Sequence, residues 1–115
     1  PVGQPAAVLL RALWPAEGLE QIAARRTGRP LRQWTDGPAK LCQALGITGN
    51  LNGVNLTNSE SGLWIEIGLS VPESVIRTGP RVGINYAGEP WVSMPWRYRV
   101  DPAILINLFS DASRV

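Results

Sequence analysis

Residues 35–47 (TDGPAKLCQALGI) combine the start of a predicted helix with the only lysine in the chain. Gly37 allows a sharp change of direction, and Pro38 is tolerated in the first helical turn, where its missing N–H costs no hydrogen bond. The free N–H groups of that turn and the positive end of the helix dipole can bind an anion such as phosphate. Lys40 is poorly placed for the dipole, so it is either an ordinary solvated lysine or the partner of a docked anion.

Arg11 is a second candidate because it lies within the apolar stretch 6–15 (AAVLLRALWP). An arginine among apolar neighbours must be paired or must face a polar cavity. Two interpretations are therefore open. Arg11 forms a buried ion pair with an acid such as Glu66 or Glu89, or it belongs to the wall of a polar active site.

Two further segments concentrate arginine. Residues 77–89 (RTGPRVGINYAGE) place two arginines beside glycine and proline. Such a loop lets the backbone approach a ligand closely, although it is also typical of a plain connection. Residues 25–32 (RRTGRPLR) hold four arginines. They indicate either a solvated helix end or the lining of a groove for a polyanion.

The composition excludes several classes of catalyst from within this chain. Histidine is absent and Cys42 is the only cysteine, which excludes Ser-His-Asp and Cys-His catalysis, an intramolecular disulfide and nearly all zinc sites. No convincing general base is present, because no candidate glutamate has a histidine or a second carboxylate at an informative spacing. No apolar run reaches the roughly 18 residues needed to span a membrane, and there is no signal-peptide pattern.

Both strands and helices are predicted to position these residues. Residues 6–15 favour a strand that is buried on both faces, and residues 63–68 and 95–100 favour further strands. Because a buried strand needs neighbours, the turn before residue 6 indicates a hairpin partner upstream and is weak evidence for a missing N-terminal part.

Two helices are also predicted. Residues 16–30 favour a helix of about three turns that starts near Gly18. The second helix has Thr35 or Asp36 as its N-cap and stops at Gly46.

Six motifs in order carry a resemblance to a known family: AVLLRAL.P.EGLE, R..R, DGPAKLCQALGIT...NG..L, LWIE, TGPRVGINYAGE and PWRYRV. From about Ala7 to Val100 the chain resembles the alkyladenine (3-methyladenine) DNA glycosylase family, whereas residues 101–115 depart from its usual short ending. The family hydrolyses the N-glycosidic bond of alkylated or deaminated purines after flipping the nucleotide into a pocket. The resemblance implies double-stranded DNA with damaged purines as partner, and no metal or other cofactor.

The resemblance also implies contacts to DNA. It makes Lys40 a phosphate contact at the helix start that Gly37 and Pro38 form. Arg81 and Gly83 are weaker candidates for DNA binding.

In the pocket, the resemblance implies that Arg11 helps to hold the catalytic water. The backbone carbonyl of Val82 holds the same water, and Leu9 belongs to the pocket wall.

The family fold is one compact mixed α/β (α+β) domain around a curved antiparallel sheet, and its general base and intercalating side chain belong to the N-terminal half. Residues 1–115 are therefore expected to be the C-terminal portion of one glycosylase domain, inactive alone and monomeric together with its N-terminal half. The expected location is the cytoplasm or nucleoid in a bacterium and the nucleus in a eukaryote, without secretion or membrane attachment.

Two alternatives stay open. The chain is a non-catalytic nucleic-acid-binding module derived from the same fold, or it is a structural or protein-interaction domain that uses exposed tryptophans.

Overall fold

A computed structural model describes residues 2–113 of the chain, and side chains as far as residue 111. The described helices are α1 (Leu19–Arg25), α2 (Pro38–Leu45) and α3 (Pro102–Ser113), and the described strands are β1 (Arg77–Gly79) and β2 (Arg97–Arg99). Helices together with a two-stranded antiparallel sheet confirm the predicted mixed α/β (α+β) class. The chain divides after Glu66 into two compact units, which we call the N-unit and the C-unit.

Helices α1 and α2 pack against each other in the N-unit and form its core. The buried apolar side chains of these two helices are Ile22 from α1 and Leu41 and Ala44 from α2. Helix α1 starts after Gly18, as predicted, but it spans seven residues rather than three full turns. The backbone of Arg26 leaves the helical region (φ −114°, ψ 39°), and its side chain turns into the interior.

Helix α2 has the predicted extent but not the predicted N-cap. Pro38 is its first residue, and Gly46 ends it with φ at +68°, a conformation that favours glycine. The N-cap residue is Gly37, because the two predicted caps are engaged elsewhere. The Thr35 hydroxyl donates to the Leu13 carbonyl at 2.6 Å, and the Asp36 carboxylate accepts from Lys40.

The predicted strand over residues 6–15 does not form, and its predicted burial is wrong. Residues 2–10 are all exposed, including Val8 at 88% and Leu9 at 68%. A strand exists only when its backbone groups find a neighbour. Within the described part of the chain, the backbone of this segment is held only at Leu13, by its N–H to Thr35 O (3.2 Å) and by the Thr35 hydroxyl.

The strand predicted over residues 63–68 is likewise absent, for the same physical reason. Ile65 N–H donates to Leu56 O at 2.8 Å, but no ladder follows. The strand predicted over 95–100 is confirmed as β2, which pairs antiparallel with β1.

Helix α3 occupies most of the C-terminal stretch for which the sequence offered no element. The Asp101 carboxylate caps it by accepting from the Ala103 N–H at 2.9 Å, directly before Pro102 in the first turn. No helix among residues 2–113 is both long enough and apolar enough to cross a membrane.

Candidate nucleic-acid interface and pocket residues

The start of α2 brings together Gly37, Pro38 and Lys40. Gly37 is extended (φ −164°) and leads directly into Pro38. The Lys40 ammonium donates to the Asp36 carboxylate at 2.9 Å, and both side chains are 45% exposed. The hydrogen bond from Lys40 lowers the pKa of Asp36 below its usual value. A phosphate that binds Lys40 at this helix start would therefore have to displace the Asp36 carboxylate from the Lys40 ammonium.

Two of the four arginines in residues 25–32 are structural rather than free for a polyanion. Arg25 Nη1 donates to the carbonyl of Ala44 at 3.0 Å and so ties α1 to the end of α2. Arg26 is only 9% exposed; it donates from Nη2 to Gln33 O at 3.2 Å and from Nη1 to the Gln43 side chain. These bonds fix the loop that precedes α2.

Sequence reasoning missed the buried position of Arg26. The only signal was its place directly after the last apolar turn of α1, where a long side chain can reach back to the neighbouring helix.

Arg11 is half-buried and has no salt bridge or hydrogen bond with a described residue of the N-unit. The ion pair with Glu66 is therefore wrong, and the Glu66 carboxylate instead accepts from Trp64 Nε1 at 3.3 Å. Glu89 accepts from the Ser93 hydroxyl within the C-unit. Leu9, two residues before Arg11, is exposed.

The loop between β1 and the 3₁₀ turn Asn85–Ala87 carries Arg81, Val82 and Gly83. Val82 is 54% exposed, and none of the described C-unit residues donates a hydrogen bond to its carbonyl. Gly83 has φ at +76°, which a side chain would strain. The carbonyl of Val82 is thus available to a ligand or a water.

Arg81 is held beside the loop by an aromatic pair. Its guanidinium carbon lies 5.2 Å from the centre of the Trp96 ring, a distance typical of a cation–π contact. Trp96 in turn lies 5.8 Å from Trp91 with the ring planes tilted by 40°. The contact fixes one face of the guanidinium and leaves its N–H edge free to donate.

The predicted site residues thus fall into two groups. Leu9 and Arg11 lie in one segment of the N-unit and Gly37, Pro38 and Lys40 at its second helix, whereas Arg81, Val82 and Gly83 share one loop of the C-unit. A single water held by Arg11 and Val82 stays a prediction.

Sequence reasoning also missed an arginine cluster on the strand pair. In the β1–β2 register, Arg77 lies opposite Arg99, and Gly79 lies opposite Arg97. The signal was the alternation in RTG and RYR, which places these arginines on one face. No three His, Cys, Asp or Glu side chains among the described residues lie close enough together to hold a metal ion.

A family model described as methylpurine-DNA glycosylase matches residues 1–103. A protein of Bacillus subtilis (strain 168) named "Putative 3-methyladenine DNA glycosylase" is 49% identical over 96 residues, which cover 84% of this chain and 46% of that protein. A protein of the same name from Herpetosiphon aurantiacus is 38% identical over 99 residues, or 84% of this chain and 44% of that protein. The chain spans about half the length of the relatives it matches.

Proposed function

Because the chain belongs to the methylpurine-DNA glycosylase family, we propose that it is the C-terminal portion of a base-excision repair enzyme. The full-length enzyme, meaning this chain together with a proposed N-terminal half, removes alkylated or deaminated purines from double-stranded DNA. This chain supplies one wall of the pocket and a DNA-docking surface. The general base lies in the N-terminal half.

Arg11 is the observation that carries this proposal. Arg11 is half-buried on an apolar segment and has no acidic partner in its unit, so its guanidinium N–H groups are free to donate to a ligand or a water. Side chains around it, such as Val8 and Leu10, are 88% and 56% exposed. Contiguous exposed apolar surface marks an interaction site. Packing of this segment against the N-terminal half would bury the apolar side chains and place Arg11 at a polar pocket.

In this reaction, the role of the chain is to position the attacking water and the flipped base. The oxygen of a water forms a bond to C1′ of the deoxyribose, the glycosidic bond breaks, and its electron pair leaves with the base. The general base takes a proton from the water. Arg11 donates to the water oxygen and the free carbonyl of Val82 accepts from the water, so the attacking lone pair is oriented. Leu9 contributes apolar surface to the pocket wall.

The decisive experiment measures release of an alkylated purine from a duplex under single-turnover conditions. The full-length enzyme should release the free base, whereas residues 1–115 alone should release none. Excision by the 115-residue chain would overturn the proposed division of roles and make Glu89 the candidate base. Binding of lesion DNA by the full-length protein without any excision would favour the non-catalytic nucleic-acid-binding module.

A further inference from the structure

We propose, resting on the function above, that the arginine face of the β1–β2 pair binds the phosphates of the DNA backbone next to the lesion. The arginine face consists of Arg77, Arg97 and Arg99. It is distinct from the α2 start and from the loop with Val82. Its occupant is the sugar–phosphate backbone of the duplex that the enzyme repairs.

The register of the strand pair places the three side chains together. Arg77 and Arg99 are direct cross-strand partners, and Arg97 lies two residues from Arg99 opposite Gly79. Because successive side chains alternate between faces, these three share one face, while Thr78 and Tyr98 share the other. Directly opposite side chains lie about 5 Å apart, and like charges there are destabilising.

Salt bridges to the described acids of the C-unit do not offset this cost. The Glu89 carboxylate accepts from Ser93, and the Asp101 carboxylate caps α3. None of the described acids forms a salt bridge with an arginine of the face. A pair of opposed cations without an acid is an arrangement that an external anion stabilises.

The remaining hydrogen bonds of the face leave donors for such an anion. Arg97 Nε donates to Pro80 O at 2.9 Å, and its guanidinium lies over Gly79, where an added Cβ would come within 3.5 Å of Nη2. Arg77 reaches Ser74 O only at 3.5 Å. Guanidinium groups held in this way present planar N–H pairs that match phosphate oxygens.

The position of the face in the chain selects DNA over other polyanions. Strand β1 continues directly into the loop with Val82, whose carbonyl the proposed function places at the water that attacks the flipped nucleotide. A phosphate bound at Arg77 or Arg99 would therefore belong to the backbone beside the lesion. A two-stranded ribbon is also an element that fits against duplex DNA.

The test compares the full-length enzyme with its Arg77→Gln/Arg99→Gln variant on undamaged and damaged duplex at several salt concentrations. Loss of two phosphate contacts should lower the magnitude of the slope of log K against log salt by about 1.8. The loss of affinity between 50 and 200 mM salt should then be about tenfold smaller than for the unmodified enzyme. Arg77→Lys/Arg99→Lys keeps both charges and should keep the slope, and Tyr98→Gln controls for the opposite face.

Thermal unfolding and excision separate the alternatives. Relief of the repulsion between Arg77 and Arg99 should leave the melting temperature of the Gln variant unchanged or raised. A lowered melting temperature with an unchanged salt slope would overturn the inference, because the arginines would then pair with acids of the N-terminal half. If the unmodified enzyme binds DNA but excises nothing, the proposed function fails. The salt slope still shows whether the arginine face binds DNA phosphates.

Discussion

Lys40 and Asp36 form an ion pair that a phosphate at the start of α2 has to disrupt. As long as the carboxylate stays with the lysine, the two charges cancel and add little to DNA binding. The contribution of Lys40 to DNA affinity therefore depends on how easily a DNA phosphate replaces the Asp36 carboxylate as its partner. Exposed pairs of this kind are weak, so exchange is inexpensive.

Opposite changes to this pair should have opposite effects on DNA affinity. Lys40→Ala should weaken binding of the full-length enzyme to damaged and undamaged duplex alike and lower the magnitude of the salt slope by about one. Asp36→Asn, which frees the lysine, should strengthen binding. Titrations monitored by fluorescence anisotropy measure both. Unchanged affinity in both variants at low salt would show that Lys40 is an ordinary solvated lysine.

The same pair makes a small contribution to stability that depends on pH. The hydrogen bond from Lys40 holds the pKa of Asp36 below its ordinary value. The stabilisation is therefore complete above about pH 4, the unfolded value, and is lost as the pH falls through the folded pKa. Because the pair is exposed, it should amount to less than about 1 kcal/mol. The difference in unfolding free energy between the unmodified protein and Asp36→Asn should shrink below about pH 4. A difference that stays constant with pH would show that the Lys40–Asp36 pair does not stabilise the folded protein.

Replacement of Arg11 separates a role in folding from a role in positioning water. Arg11→Met in the full-length enzyme should leave lesion binding and the melting temperature nearly unchanged, since no acid of its unit is left unpaired. The single-turnover rate of excision should fall by about 10²-fold, as expected when a positioning contact is lost. Thermal unfolding and excision are measured on one preparation.

A different result would remove Arg11 from the catalytic residues. If Arg11 neutralises an acid in the N-terminal half, Arg11→Met leaves that acid unpaired and should cost about 3–5 kcal/mol of stability. The rate per folded molecule would then be normal.

At the scale of elements, Arg26 connects the end of α1 to the loop before α2 and to α2 itself through its hydrogen bonds to Gln33 and Gln43. Its replacement by Met keeps the apolar stem but leaves the Gln33 carbonyl without its donor. The expected cost is about 1.5–3 kcal/mol of unfolding free energy, the range for hydrogen bonds to a charged group. Arg25→Met is the matched control and should cost less, because the Arg25 side chain is exposed and makes one hydrogen bond rather than two. Equal costs in chemical denaturation would contradict a special role for Arg26.

Elements with local signals were predictable, and elements that need a distant partner were not. Pro38 and Gly46 set the ends of α2 through their own backbone preferences, so the sequence was sufficient there. The segment around Leu9 has the composition of a strand but forms none, because pairing depends on a neighbour. The Asp101 cap of α3 was a local signal that could have been used.

The candidate site follows the same division. Residue types drew attention to Lys40 and Arg11, but composition says nothing about which acid lies within reach. The opposition of Arg77 and Arg99 depends on a register between segments twenty residues apart in sequence, which only the structure supplies.

At the scale of the whole molecule, one exposed segment should have opposite effects in the separate chain and in the full-length enzyme. Leu10 is 56% exposed, and by the proposed function it becomes buried against the N-terminal half. Exposed apolar surface of this kind should make residues 1–115 alone self-associate. Leu10→Lys should therefore reduce that self-association, which sedimentation velocity measures. In the full-length enzyme it should lower the melting temperature, because a charge would be buried without a partner.

Thr57→Lys, a charge added at another exposed position of the N-unit, is the control. A decrease in self-association without any loss of stability in the full-length enzyme would mean that the segment stays exposed there.

The N–H groups of residues 6–12 donate to no acceptor among residues 2–113. In deuterated water these amides should exchange at nearly the rate of an unstructured peptide, whereas the amides around Leu41 and Ala44 exchange only when the N-unit opens. Addition of the N-terminal half should slow the first group and leave the second group little changed. Deuterium uptake at residues 6–12 therefore measures how completely the two halves assemble, without any reference to catalysis.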